Sequence, residues 1–60
     1  MDPNANLKEQ RIIVARIIAD EYPIASDHTR DAARLADLVE AQDGWLSRGG
    51  FLPSAWAVSK

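Results

Sequence analysis

The sequence has no cysteine, one histidine and a single methionine at position 1. Without cysteine, the chain has no disulfide framework, no thiolate metal site and no thiol redox centre. It also lacks an excess of basic residues: seven Lys and Arg stand against nine Asp and Glu, which gives a net charge of -2. This balance argues against a nucleic-acid binder, which needs clustered basic residues and a high isoelectric point.

Long hydrophobic runs are also missing. No segment approaches the roughly 18 consecutive apolar residues of a membrane span, so we expect no membrane partner. The first ten residues show no basic stretch followed by an apolar core, which predicts that they are not a signal peptide. Hydrophobic residues nevertheless make up 47% of the 60 residues. That fraction is typical of a folded protein and argues against intrinsic disorder.

Few prolines and glycines interrupt the chain, and they divide it into two long helical segments and a tail. Sixty residues predict a single small domain, residues 1–60. Pro23 disfavours the α conformation at Tyr22 and ends the first segment. The pair Gly49-Gly50 ends the second segment, since glycine readily takes the left-handed conformation that stops a helix. Residues 49–60 then form a short apolar tail, in which Pro53 is suited to open a final turn.

The first helix is predicted over about residues 3–21. Asp2 is suited to cap it, and Pro3 to occupy its first position, where the missing N–H costs nothing. At 100° per residue, three apolar side chains fall on one line and two more flank it: Leu7, Val14 and Ile18, with Ile13 and Ile17 beside them. This wide stripe predicts an amphipathic helix whose centre packs against a partner.

The second helix is predicted over about residues 27–48, with Ser26 or Asp27 as the N-cap. Its apolar stripe consists of Leu35, Val39 and Leu46, with Ala32, Leu38 and Trp45 beside them. Gly44 lies inside this pattern, and we expect the helix to continue through it because Trp45 and Leu46 stay in phase. Three i,i+3 pairs of opposite charge are expected along the other face: Asp27–Arg30, Asp31–Arg34 and Arg34–Asp37.

A connection of about five residues makes the two helices antiparallel neighbours. The predicted fold is therefore all-α, an antiparallel two-helix hairpin with an apolar C-terminal tail. Because a single core in so short a chain rarely supplies more than about 3–5 kcal/mol, we expect self-association into a helical bundle, as a dimer or tetramer. The candidate interface residues are two on the back of the first helix and four large apolar groups toward the C-terminus: Ile12, Ala19, Trp45, Phe51, Leu52 and Trp56. Core packing is the simpler interpretation of Trp45, which lies beside the stripe of the second helix.

Side chains able to carry chemistry are sparse. His28 is more simply a helix-start residue hydrogen-bonded to Asp31 or a loop carbonyl than a zinc ligand, since zinc needs three or four ligands. The acidic residues Asp37, Glu40 and Asp43 are expected to form a solvated face. The alternative interpretation is that this face docks a basic partner. Gln42 falls inside the apolar stripe, either as a register device or at the stripe edge. We expect no catalytic residues, no cofactor and no metal.

A helix-turn-helix DNA-binding regulator is the alternative to a protein-interaction module. That class presents basic or amide residues on its recognition helix. Here the second helix is acidic toward its middle, and Arg30 and Arg34 are its base-reading candidates. With a net charge of -2, the neutralisation of phosphates would be weak. We therefore expect no nucleic-acid partner.

Three parts of the sequence carry a resemblance to a protein class. They are the opening Met1-Asp2-Pro3-Asn4-Ala5, the run Leu35-Ala36-Asp37-Leu38-Val39-Glu40, and Trp45-Leu46-Ser47-Arg48-Gly49-Gly50-Phe51-Leu52-Pro53 followed by Trp56. They resemble small proteins of unassigned function from bacteriophages of actinobacteria, the mycobacteriophage type, with a Trp-Leu-x-x-Gly-Gly-x-Leu-Pro motif. Gly44 departs from the helix former expected there. The resemblance implies a phage product that acts in the host cytoplasm, and it assigns no activity and no functional residue. We expect this product to be a non-enzymatic accessory protein that binds a host or phage protein.

Overall fold

A computed structural model describes residues 1–57 as a helical hairpin. Helix α1 spans Pro3–Ala19 and helix α2 spans Ala25–Ser47. Contacts between them join rising numbers on α1 to falling numbers on α2: Asn6 to Leu38, Glu9 to Arg34 and Arg16 to Asp31. The helices are therefore antiparallel, and the predicted all-helical hairpin is confirmed.

Capping groups set the ends of α1. The side chain of Asp2 accepts hydrogen bonds from the amides of Asn4 and Ala5, at 2.9 and 3.2 Å. The helix ends two residues earlier than the sequence predicts, because Asp20 adopts a left-handed conformation with φ of 53°. Its N–H donates to the carbonyl of Arg16 at 3.0 Å, which closes the last turn.

Helix α2 begins two residues earlier than predicted and ends one residue earlier. Ile24 holds the N-cap position and offers no capping side chain, so neither Ser26 nor Asp27 is the cap. The helix runs through Gly44, as expected from the phase of Trp45 and Leu46. Beyond its end, Gly49 has φ of 85°, the left-handed conformation that glycine adopts with little strain.

The seam of the hairpin follows a spacing of alternately three and four residues, the pattern of coiled-coil packing. Its members are buried or half-buried: Pro3, Asn6, Gln10, Ile13 and Ile17 on α1, and His28, Asp31, Leu35, Leu38, Gln42 and Trp45 on α2. Nearly half of these positions are polar or charged. The apolar core is correspondingly small and centres on Leu7, Ile13 and Leu38.

The seam corrects the predicted centre of the α1 stripe. Ile13 is 1% exposed, whereas Val14 is 39% and Ile18 is 78% exposed. The line through Leu7, Val14 and Ile18 thus lies beside the seam, roughly 80° around the helix at 100° per residue. The rotation has a physical cause: it brings Asn6 to the seam, where its amide reaches a carbonyl of α2.

Asn6 links the two helices through its side chain. Its Nδ2 donates to the carbonyl of Leu38 at 3.0 Å, in a buried setting. Its Oδ1 accepts from Nε2 of Gln10 at 2.5 Å, one turn further along α1. Such a bond forms at only one longitudinal position of the two helices, so it fixes their register.

Residues after α2 fold back over the open end of the hairpin. The indole N–H of Trp45 donates to the carbonyl of Phe51 at 2.9 Å, and the two rings meet edge to face with centroids 5.4 Å apart. A side chain at Gly50 would overlap the Trp45 ring, so this contact requires glycine. The amide of Ser54 donates to Oδ1 of Asn4 at 2.6 Å, and Pro53 is buried. Residues 58–60 of the predicted tail lie outside the described residues.

Neighbouring isoleucines test the seam. Ile13→Ala should lower the free energy of unfolding by about 2–5 kcal/mol, because it leaves a cavity between the helices. Ile12→Ala is the matched control: its side chain is 48% exposed, so the loss should be much smaller. Urea titration followed by circular dichroism measures both. Equal losses in the two variants would contradict this orientation of α1.

Candidate interaction surface

One face of the hairpin is closed by two bidentate ion pairs between the helices. Arg16 contacts Asp31 through Nε at 2.8 Å and Nη2 at 2.7 Å. Arg34 contacts Glu9 in the same way, at 2.7 and 2.9 Å. We call these four residues the ionic clasp. Two parallel bonds fix the planes of guanidinium and carboxylate, which gives each pair a defined geometry.

The clasp corrects the predicted pairing within α2. Asp27–Arg30 is present, with a long contact of 3.9 Å. Asp31 and Arg34, however, are each engaged by a residue of α1 instead of by each other, and Asp37 takes no part. The cross-helix pairs prevail because each aligns two hydrogen bonds, whereas the i,i+3 pair that is present makes a single contact of 3.9 Å.

Asp31 is the most connected group of the clasp. Besides Arg16, it accepts a hydrogen bond from the hydroxyl of Tyr22 at 2.6 Å. These bonds, first that from Arg16 and then that from Tyr22, lower the pKa of Asp31 to about 2. Burial and the bond to Asp31 raise the pKa of Tyr22. The hydrogen bond from Arg34 lowers the pKa of Glu9.

His28 lies against the ring of Tyr22 rather than hydrogen-bonding Asp31. The two rings meet edge to face with centroids 5.1 Å apart. Asp31 already accepts hydrogen bonds from Arg16 and Tyr22, which explains why His28 does not make the expected hydrogen bond to it. Within residues 1–57, no group of three or more histidine, aspartate or glutamate side chains is arranged to hold a metal ion.

The opposite face of the hairpin carries a second column of residues on each helix, again spaced by three and four. On α1 the column is Leu7, Arg11, Val14 and Ile18; on α2 it is Ala32, Ala36, Val39, Asp43 and Leu46. Tail residues Ser54 and Ala55 approach Leu7, which is buried. The part beyond the tail is bare, and we call it the apolar face: Val14, Ile18, Ala32, Ala36 and Val39.

The predicted interface residues do not form one surface. Ile12 lies on the outer side of α1, in a recess with Ala15 and Ala55. Ala19 borders a hollow at the loop end, beside Tyr22 and Pro23.

The remaining four predicted residues lie toward the tail. Trp45 is half-buried against Phe51, while Phe51 and Leu52 are largely exposed. Trp56 alone borders the apolar face, in a cleft of about 210 Å³ with Val39 and Leu46.

Sequence reasoning missed the exposed members of the apolar face, because it placed Val14, Ile18 and Val39 in the hairpin seam. Val39 is in fact 50% exposed. The signal that identifies them is a seven-residue interval. It separates Leu7 from Val14 on α1, and on α2 it separates Ala32, Val39 and Leu46, so each helix carries a second apolar line beside the seam. Two such columns on one helix are typical of helices with two neighbours.

Gln42 is a buried polar group without a partner. It is 3% exposed, and neither Nε2 nor Oε1 makes a hydrogen bond within the described residues. The cleft beside it is bordered by Val39, Leu46 and Trp56. Gln42 occupies a buried seam position but makes no register bond, so it is not the register device that the sequence offered as one reading. The register bond is made by Asn6 with the carbonyl of Leu38.

Comparison with known proteins adds no relative. No family model, curated protein or solved structure matches the chain. Neither α1 nor α2 is long and apolar enough to cross a membrane. The assignment of the apolar face as an interaction surface therefore rests on the geometry of the hairpin alone.

Acid should weaken the ionic clasp. Because the pKa of Asp31 in the folded chain lies below its ordinary 3.8, the stabilisation is complete at neutral pH and is lost as pH falls from about 5 toward 2. Asp31→Asn should be less stable at neutral pH and lose less stability over that range. Urea midpoints measured across this pH series test it. An Asp31→Asn variant as acid-sensitive as the parent would contradict the assignment.

Gln42 should reduce the stability of the hairpin. Gln42→Leu should raise the free energy of unfolding by about 1–3 kcal/mol, because it removes a buried, unpaired amide while keeping its volume. Gln10→Leu is the control with the opposite sign, since it leaves Oδ1 of Asn6 without its donor. Urea unfolding at a fixed protein concentration compares them. A loss of stability in Gln42→Leu would mean that its amide has a partner.

Proposed function

We propose that the chain is a non-enzymatic helical interaction module that acts as a homo-oligomer. The observation that carries this proposal is the imbalance of its apolar residues within the described part. Three hydrophobic side chains are buried, whereas nine large ones are exposed: Met1, Ile12, Val14, Ile18, Ile24, Val39, Phe51, Leu52 and Trp56. Exposed apolar residues mark a site of protein contact where they are contiguous, as Val14, Ile18 and Val39 are on the apolar face.

The ionic clasp supports a structural rather than a catalytic use of the charged groups. Asp31 and Glu9 owe their lowered pKa values to arginines that hold the two helices together. Catalytic carboxylates are instead matched to a proton transfer near the working pH. The lowered pKa values of Asp31 and Glu9 make these carboxylates weak proton acceptors near neutral pH, which does not suit them to that role.

The arginines of α2 also favour protein over DNA as the partner. Arg34, a base-reading candidate, is engaged by Glu9 through two hydrogen bonds. Arg30 lies 3.9 Å from Asp27. A recognition helix needs such side chains free to reach base edges. The resemblance to actinobacteriophage proteins extends the proposal: a phage accessory protein in the host cytoplasm, binding a host or phage protein.

Self-association should make stability depend on concentration. The melting temperature should rise as the protein is concentrated from micromolar to millimolar, because the associated state is favoured by mass action. Sedimentation equilibrium over the same range should show a dimer or tetramer. A monomer mass throughout, with a constant melting temperature, would overturn the proposal. Salt-dependent binding to duplex DNA would favour the regulator instead.

A further inference from the structure

We propose that a second copy of this chain covers the apolar face, with α1 of one copy lying against α2 of the other. This inference rests on the proposed homo-oligomer and names its surface and its geometry. The assembly is an isologous dimer, a four-helix bundle in which each hairpin supplies one layer. Three features of the structure point to it: the single layer and exposed area of the hairpin, the second column of residues, and the charges within and beside that column.

The hairpin is one layer of helices. Within residues 1–57, α1 and α2 pack side by side and no third helix or strand lies above or below them. Stable domains bury their apolar faces between at least two layers. The tail covers the open end near Leu7 and leaves Val14, Ile18 and Val39 exposed. A second hairpin laid on this face supplies the missing layer.

The exposed area of the chain exceeds that expected for a compact monomer. The chain exposes 4464 Å², against about 3,900 Å² expected for a folded monomer of this mass. A surplus of this kind is expected of a single layer of helices, and a second layer would reduce it.

The second column identifies the kind of partner. Its residues repeat at the same three- and four-residue intervals as the seam, so they suit knobs-into-holes packing against another helix pair. Ala32 and Ala36 are small enough to admit side chains from a facing helix. The groove beside them, about 570 Å³ in volume, is lined by Ile17, Leu35 and Val39 as well. A second copy offers the same intervals in return.

Charges within and beside the second column set the orientation. The recess on the α1 side is bordered by Lys8 and Arg11, and the groove on the α2 side by Glu40 and Asp43. Placing α1 against α2 of the other copy brings the basic edge to the acidic edge. Placing α1 against α1 would bring like charges together, which disfavours that arrangement.

Matched lysine substitutions test the surface. Val39→Lys lies on the apolar face and Ile12→Lys on the outer side of α1, with exposures of 50% and 48% in the hairpin. Val39→Lys should weaken association about tenfold or more, because the two-fold interface buries the new charge twice. Ile12→Lys should associate at least as tightly as the parent, because Ile12 lies in the recess of Lys8 and Arg11 and the new lysine adds to the basic edge. Sedimentation equilibrium measures association, and helical circular dichroism shows that both variants fold.

Charge reversal tests the orientation without touching the apolar residues. Lys8→Glu with Arg11→Glu, and separately Glu40→Lys with Asp43→Lys, should each self-associate more weakly than the parent. An equimolar mixture of the two should associate as tightly as the parent, since each basic edge again meets an acidic edge. Self-association of either double variant at parental strength would overturn the orientation.

The outcomes separate the two proposals. A parent chain that is monomeric at every concentration overturns the proposed homo-oligomer. A parent chain that associates, with Val39→Lys unaffected or Ile12→Lys disrupted, overturns the apolar face alone.

Discussion

The hydrogen bond from Asn6 to the carbonyl of Leu38 is the constraint on which the hairpin depends. It fixes the longitudinal position of α1 against α2, and at that position Glu9 meets Arg34 and Arg16 meets Asp31. A slip of one turn, about 5.4 Å, would separate both pairs. A short side-chain amide thus selects one register, which the longer charged side chains then reinforce from one face.

This specificity has an energetic consequence. Polar residues occupy seam positions that apolar side chains would otherwise fill, so Asn6, Gln10 and Gln42 reduce the hydrophobic area buried between the helices. The apolar residues they displace form the column beside the seam. A hairpin of this kind has a well-defined geometry, but the burial of apolar surface between its helices contributes little to its folding. Contacts with a partner would supply the burial that the seam forgoes, which connects the polar seam with the proposed homo-oligomer.

Local signals in the sequence located three of the four helix ends. The Asp2 cap, the proline after Tyr22 and the left-handed Gly49 place these ends to within two residues, because each acts through the backbone nearby. The start of α2 carries no such signal, since Ile24 holds its N-cap position without a capping side chain. The rotation of α1 about its own axis could not be read in this way. Periodicity identifies the most apolar line, here Leu7 to Ile18, whereas the seam is chosen by groups on the other helix. The ionic clasp was missed for the same reason, since its partners are 15 and 25 residues apart.

The two ends of the hairpin are held by different physics. Near the loop, Arg16 and Asp31 are joined by two hydrogen bonds of 2.8 and 2.7 Å in a partly solvated setting, and dissolved salt weakens the attraction between such charges. At the open end, Trp45, Phe51 and Pro53 are joined by apolar packing, which excluded salts such as sulfate strengthen. Rising sulfate would therefore loosen one end while tightening the other. The relative stability of the two ends of the hairpin therefore depends on the salt around the molecule.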